Sequence, residues 1–327
     1  MLVSSSPHIR TKETIESVMY AVVLALMPAL LGAIYFFGLR ALFLTALAVI
    51  SAVLTEYIYQ KITRRPITAL DGSAIVTGIL LAFNIPVNSP WWLPVVGSFF
   101  AILIVKQLFG GLGYNIFNPA LAGRAFLMAS WPGIMTGRWS APIRPAGSTI
   151  SGIDVVTSAT PLGVLKYHAT PEVVAKLNSG PMLKALFIGN TGGCLGETSA
   201  LLLLLGAIFL LIKGIIDWRI SLGYIGSVFV LTGIFYLFGI TRANPLFHIL
   251  SGGVMLGGLF MATDMVTSPV TPLGRWIFAI GGGVIAVLIR IWGGYPEGVS
   301  YSILLMNMVT PLLDRLTIPK RFGEVKK

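Results

Sequence analysis

A threonine hydroxyl can accept a phosphoester, and it can equally accept a backbone N–H at the start of a helix. The chain poses that choice at Thr160, which closes the stretch Asp154-Val155-Val156-Thr157-Ser158-Ala159-Thr160-Pro161 in the one long polar interval of an otherwise apolar sequence. Threonine before proline is a good N-cap followed by proline at the first helical position. Ala169-Thr170-Pro171 repeats the tripeptide ten residues later, but without an acid six residues before its threonine and with Tyr167 three before it. Capping therefore accounts for both copies, and something more distinguishes the first. Asp154, Thr157, Ala159 and Thr160 at these spacings, with small Ser158 between, arise by chance in on the order of one chain in a hundred of this length. A hydroxyl on a long flexible loop is one that a modifying enzyme could reach, so capping and covalent modification both stay open at Thr160.

Carboxylates are the second candidates. Only 12 of the 327 residues are acidic, and Asp71, Glu197 and Asp264 lie within or at the edge of apolar runs, with Glu56 and Asp314 near the ends of such runs. An ionisable group at membrane depth costs roughly a few kcal/mol, so it faces a cavity, a partner or an ion path. Each of the three is either a ligand or relay for a cation, or a structural group that caps a broken helix or pairs with Arg or Lys. Glu197, just before Thr198-Ser199, would also suit a helix start, where its charge favours the dipole. His168 and His248 lack metal-ligand spacing, and no metal is assigned. Cys194 is the single cysteine, a small packing residue that excludes an internal disulfide or a cluster ligated by this chain alone.

The solvent that surrounds these groups follows from composition. The chain is 55% hydrophobic and 11% charged, with mean hydropathy +0.86, against about 25% charged residues in soluble domains. Apolar runs long enough to span a bilayer recur along its length, and in lipid such runs must be helices. The net charge of +11 does not point to nucleic acid, because the basic residues flank apolar runs, where they orient helices. No cleavable signal peptide is expected: residues 1–14 are polar and the first apolar run is long enough to span.

The expected fold is an all-α polytopic membrane protein of about ten transmembrane helices in two inverted five-helix repeats. Residues 1–15 form a cytoplasmic arm. The first repeat covers 16–132, with helices near 16–38, 41–60, 70–85, 94–110 and 118–131. Residues 133–190 are a polar loop with five basic residues, in which 161–165 and 171–177 are candidate short helices. The second repeat covers 191–314, with helices near 196–213, 219–239, 247–265, 274–291 and 299–313, and 315–327 is a basic tail. The repeat rests on matches at an offset of 179 residues, among them Pro66 with Pro245, Gly78 with Gly257 and Pro90 with Pro269. Lysines and arginines next to the spans concentrate on the side of the termini, which places the termini in the cytoplasm and the 133–190 loop outside. Pro86, Asn118-Pro119 and Gly281-Gly282-Gly283 suggest interrupted or closely packed helices.

Beyond residues 154–160, four stretches carry a resemblance: Asp71-Gly72-Ser73-Ala74; Asn118-Pro119-Ala120-Leu121-Ala122-Gly123-Arg124; Gly196-Glu197-Thr198-Ser199; and Met261-Ala262-Thr263-Asp264 with Thr267-Ser268-Pro269. With them the chain resembles the RnfD / NqrB family, membrane subunits of ion-translocating electron-transfer complexes in the bacterial or archaeal (inner) membrane. The length and the short N-terminal arm favour the RnfD type. The resemblance implies FMN joined through its phosphate to Thr160 by a flavin transferase that reads Asp154, Thr157, Ser158 and Ala159. The family usually has Gly where Ser158 stands, a small-for-small departure. It also implies a non-covalent riboflavin among the helices, for which Asn118 and the glycine-rich turn before it are candidates. Trp139 is a candidate to stack on an isoalloxazine ring, although an interfacial belt explains Trp91, Trp92, Trp131 and Trp139 equally. Partners would be other membrane and peripheral subunits, because neither a nicotinamide site nor cysteine-rich cluster motifs occur here, together with a coupled Na⁺ or H⁺. A solute channel or secondary transporter fits the same helical scaffold, and so does an assembly scaffold without cofactor. A flavin on Thr160 separates the first reading from both.

Overall fold

The computed structural model describes residues 14–140, 142, 160–197 and 199–318. Every regular element among them is a helix, apart from one isolated bridge between Pro86 and Cys194. Helices α1 (Ile15–Phe37) and α2 (Leu39–Ile62) are followed by short α3 (Ser73–Phe83) and by α4 (Trp92–Phe100), which continues as a π-helix over Ala101–Gln107. Then come α5 (Pro119–Ser130) and α6 (Pro132–Gly137). The polar interval holds α7 (Pro161–Tyr167), α8 (Pro171–Leu177) and α9 (Gly180–Ile188). The second half has α10 (Ala200–Ile212), α11 (Trp218–Leu237), α12 (Pro245–Leu250), α13 (Val254–Leu256, continued as a π-helical turn over Gly257–Met261), α14 (Pro272–Trp292) and α15 (Val299–Leu316).

Four helices, α1, α2, α11 and α14, are long and apolar enough to cross a membrane, and α3, the α4 helix and α10 are shorter apolar helices. Local chemistry sets their ends. Thr14 and Ser17 form a capping box at the start of α1, and Gly38, at φ 75°, takes the left-handed turn that lets α2 begin one residue after α1 stops. Adding 179 to the first residues of α2, α3, α4 and α5 lands within two residues of the first residues of α11, α13, α14 and α15.

The run near 247–265 is not one helix. It breaks at residues 251–253, where Gly252 and Gly253 have φ near 60°, and unwinds again after Met261. A break inside an apolar bundle must find partners for its backbone. Arg290 supplies them here, donating to the carbonyls of His248 (2.5 Å), Ser251 (3.2 Å) and Gly252 (2.9 Å). The non-helical segment after α3 is served by Arg40, which donates to Val87 O (2.9 Å) and Ser89 O (3.0 Å). Arg275 bonds Pro269 O in the second half, and Asp314 accepts from the Val270 N–H. The glycines at 281–283 do not interrupt α14; Gly282 and Gly283 let it close on α11, where a methyl group at Gly283 would lie 2.7 Å from Tyr224 O, and Gly281 faces Met306 of α15.

Residues 160–190 of the polar interval fold as a helical cap, with α9 a helix that its sequence did not announce. Leu162, Leu177, Met182 and Leu186 form a small core with Ala243 and Phe247. Asn178 ties α8 to the turn before α12 by donating to Arg242 O (2.9 Å) and accepting from Asn244 N–H (2.7 Å).

Candidate functional site

The residues singled out in the sequence fall at three places. Thr160 is the N-cap of α7, with its hydroxyl accepting from the Gly163 N–H at 3.1 Å. Asp154, Thr157, Ser158 and Ala159 lie outside the described residues. Thr170 caps α8 in the same way, so both copies of the tripeptide do what proline after threonine dictates. They differ in access: Thr160 is 5% exposed, whereas Thr170 is exposed. The expectation of a freely reachable loop is thus corrected at the acceptor itself. Burial follows from the docking of α7. Lys166 donates to the carbonyls of Arg290 (3.1 Å), Tyr295 (2.9 Å) and Gly293, and Tyr167 Oη donates to Gly294 O (3.0 Å). These carbonyls end α14 or follow it, where a cation is favoured. Trp139, partly buried, lies just beyond α6.

The second place is a small cavity of about 90 Å³ between α1, α3, α5, the α10–α11 turn and the segment after α13. Its walls are mainly apolar, with Ser73, Thr77, Lys106, Asn115, Asn118, Thr263 and Asp264 as polar groups. Asn118 is fixed there by three bonds: its Oδ1 accepts from the N–H groups of Ala120 (3.1 Å) and Leu121 (3.3 Å), and its Nδ2 donates to Met261 O (3.2 Å). Asn115 keeps a buried Oδ1 without a hydrogen-bond partner among the described residues. Asp264 accepts from Val266 N–H (3.4 Å) and Thr267 Oγ1 (3.1 Å), so it caps the chain as it leaves the π-turn.

Asp71 joins this wall through Ser73. Its Oδ1 accepts from Ser73 N–H (2.8 Å) and Oγ (2.5 Å), and Ser73 Oγ in turn accepts from Lys106 Nζ (2.6 Å). Lys106 pairs with Glu56 at 2.7 Å, both side chains 2% exposed or less, and Gln107 also donates to Glu56 (2.9 Å). The π-helix carries Lys106 and Gln107 into this network, and such irregular turns are frequent at functional sites. Sequence reasoning missed the Glu56–Lys106 pair because each residue reads as an ordinary charge near a helix end.

Glu197 does not line the cavity. The helix that follows it starts at Ala200 with Ser199 as its N-cap, so Glu197 does not open it. Glu197 lies 3.5 Å from Arg124 instead, and the same guanidinium bonds Glu297 and donates to Asn84 Oδ1 (2.6 Å). Cys194 is fully buried beside this group, as a packing residue would be. Glu297 and Arg124 carried no assigned role from sequence. The signal for Glu297 was the repeat offset itself, which aligns it with Asn118.

The sequence model of one family, described as the NQR2, RnfD, RnfE family, matches residues 2–323. A relative from Acetobacterium woodii, named as a component of the Na⁺-translocating ferredoxin:NAD⁺ oxidoreductase complex, is 52% identical over 328 residues, covering 100% of this chain and 96% of that protein. The corresponding component of the proton-translocating ferredoxin:NAD⁺ oxidoreductase complex of Clostridium ljungdahlii is 48% identical over 98% of this chain and 96% of that protein. That of the ion-translocating oxidoreductase complex of Stutzerimonas stutzeri is 41% identical over 95% of this chain and 93% of that protein.

Proposed function

The chain belongs to the NQR2, RnfD, RnfE family, and from that premise we propose that it is a membrane flavoprotein subunit of an ion-translocating electron-transport complex, with FMN esterified to Thr160 and riboflavin in the Asn118 cavity. As a subunit of an ion-translocating oxidoreductase it acts with other membrane and peripheral subunits. The observation that carries the reading is the extent of the match: residues 2–323 include both the helical bundle and the Thr160 segment.

The residues present suit both groups. Thr160 offers a hydroxyl at the start of α7, where backbone N–H groups favour a phosphate. Its burial and its bond to Gly163 mean that a flavin transferase must reach it before α7 docks, or with α7 lifted. The cavity combines apolar walls with a few fixed polar groups, the usual make-up of a cofactor site. Asn118 and Asn115 would hold the ring system there, and the free Asn115 Oδ1 offers an acceptor. When bound, the flavins supply the electron-transfer chemistry, while the protein positions them and sets their surroundings. Trp139 is the aromatic residue assigned to the flavin on Thr160.

Asp71 and Asp264 at the cavity, and Glu197 apart from it, are the proposed carriers of the coupling ion. One close relative is named for Na⁺ and another for protons, so overall identity does not choose between them. The two halves are proposed as inverted five-helix repeats, on the strength of the recurring offset of their helix starts. The termini are placed in the cytoplasm and the α7–α9 cap outside the cell membrane. The test is in-gel flavin fluorescence of the denatured protein co-produced with a flavin transferase, followed by mass analysis of the Asp154-containing peptide. FMN mass on Thr160 supports the proposal; an unmodified peptide beside an active transferase overturns it.

A further inference from the structure

Glu197 and Glu297 are side chains 3% and 9% exposed that share one guanidinium, Arg124. Buried though they are, the Oε1 atoms of both make no hydrogen bond among the described residues. One oxygen of each carboxylate and Cys194 Sγ all lie within 4.8 Å of one another. Gly253 presents no side chain to Glu197, and a methyl group there would come within 2.8 Å of Glu197 Oε1. Among the described residues, the charged and titratable groups around the pair are Arg124 from α5, Arg290 from α14 and the Cys194 thiol. Arg290 is bonded to three backbone carbonyls at the 251–253 break.

Two carboxylates sharing a dry site cannot both stay ionised cheaply. Each buried carboxylate oxygen without a hydrogen bond adds to that cost, and Arg124 at 3.5 Å from Glu197 Oε1 offsets it only by charge. One proton answers both problems, because a carboxyl can donate to the other group's free oxygen, directly or through one water. A divalent metal would instead compete with Arg124, which is already bonded to Glu297.

We propose that Glu197 and Glu297 hold one exchangeable proton between them, forming a buried proton-binding site with Arg124 as its fixed counter-charge. Binding turns one carboxylate into a carboxylic acid and changes no other bond. The inference deepens the ion-path reading of Glu197 by naming the proton as its ion and Glu297 as its partner, and it rests on that reading only for its part in transport.

Infrared difference spectra of the purified complex test it. The expected result is one carboxylic-acid C=O band at neutral pH that shifts in heavy water and is lost in Glu197→Gln and in Glu297→Gln. The double variant should lose that one band and no second. Where a glutamine variant does not assemble, Glu197→Asp and Glu297→Asp keep the carboxyl, and the band should move in frequency. Absence of any band sensitive to these substitutions overturns the proposal, as does a band abolished by sodium chloride but not by choline chloride, which would mark a Na⁺ site. If the band behaves as expected and Glu297→Gln leaves the ions moved per electron unchanged, the proton site stands and the ion-path reading of Glu197 falls.

Discussion

Thr160 is both a helix cap and the proposed flavin acceptor, and its substitutions separate the two roles. Thr160→Val removes both the esterifiable hydroxyl and the cap on Gly163, so covalent flavin should be abolished and the α7 cap weakened by about 1 kcal/mol. Thr160→Ser should restore both, read by in-gel fluorescence and by thermal unfolding. A fluorescent protein band that persists in Thr160→Val would sink the attachment site. At the buried pair, Lys106→Met leaves the Glu56 carboxylate without its cation and should cost about 3–5 kcal/mol. Glu56→Gln combined with Lys106→Met should recover much of that, measured by thermal unfolding of the detergent-solubilised protein. A double variant no more stable than the single would mean that the pair is not the dominant interaction at this site.

At the scale of elements, the breaks matter more than the spans. The bundle bends its chain at residues 84–91, 251–253 and 262–271; Arg40 and Arg290 from other helices bond the first two, and Arg275 from the first turn of the following α14 bonds the third. Lys166 does the same for the docking of α7 onto the end of α14. Lys166→Met should therefore loosen α7 without disturbing the long helices. Hydrogen exchange should speed up at the amides of 163–168 and stay unchanged in α11 and α14. If flavin transfer is limited by access to Thr160, the same variant should be flavinylated faster than wild type in a timed reaction. Unchanged exchange at 163–168 would show that Lys166 does not hold the cap.

For the whole molecule, the question is how two halves of one sequence divide the work. The cavity collects Asn118, Asp264 and, through Ser73 and Lys106, Asp71 and Glu56, while the second cluster collects Arg124, Glu197 and Glu297. Asn84 and Asn118 both contact Met261, and Asn84 also accepts from Arg124, so polar contacts run between the two places through the centre of the protein. Asp71→Asn and Asp264→Asn should each lower ion transport more than electron transfer in proteoliposomes containing the complex. Equal loss of both rates would assign these acids to capping, which their bonds to Ser73 and Val266 already perform.

Much of this was legible in the residues alone. Composition and run length require membrane helices because lipid leaves no other partner for the backbone, and the starts of α1, α2, α5, α11 and α15 fall close to where apolar runs and Asn-Pro or Gly signals put them. The Thr-Pro caps at 160 and 170 were equally plain, because capping is local chemistry. The break at 251–253 was not. Its glycines look ordinary in an apolar run, and only Arg290, some forty residues away, makes the unwound backbone tolerable there. The α7–α9 cap was half legible, since its helices are marginal alone and are held by a core shared with α12. Asp71, Glu197 and Asp264 were recognisable as costly acids, but their sorting was not: the sequence determined that buried charges exist, and only the tertiary structure decided which guanidinium, ammonium or second carboxyl each one meets, because those partners come from helices distant along the chain.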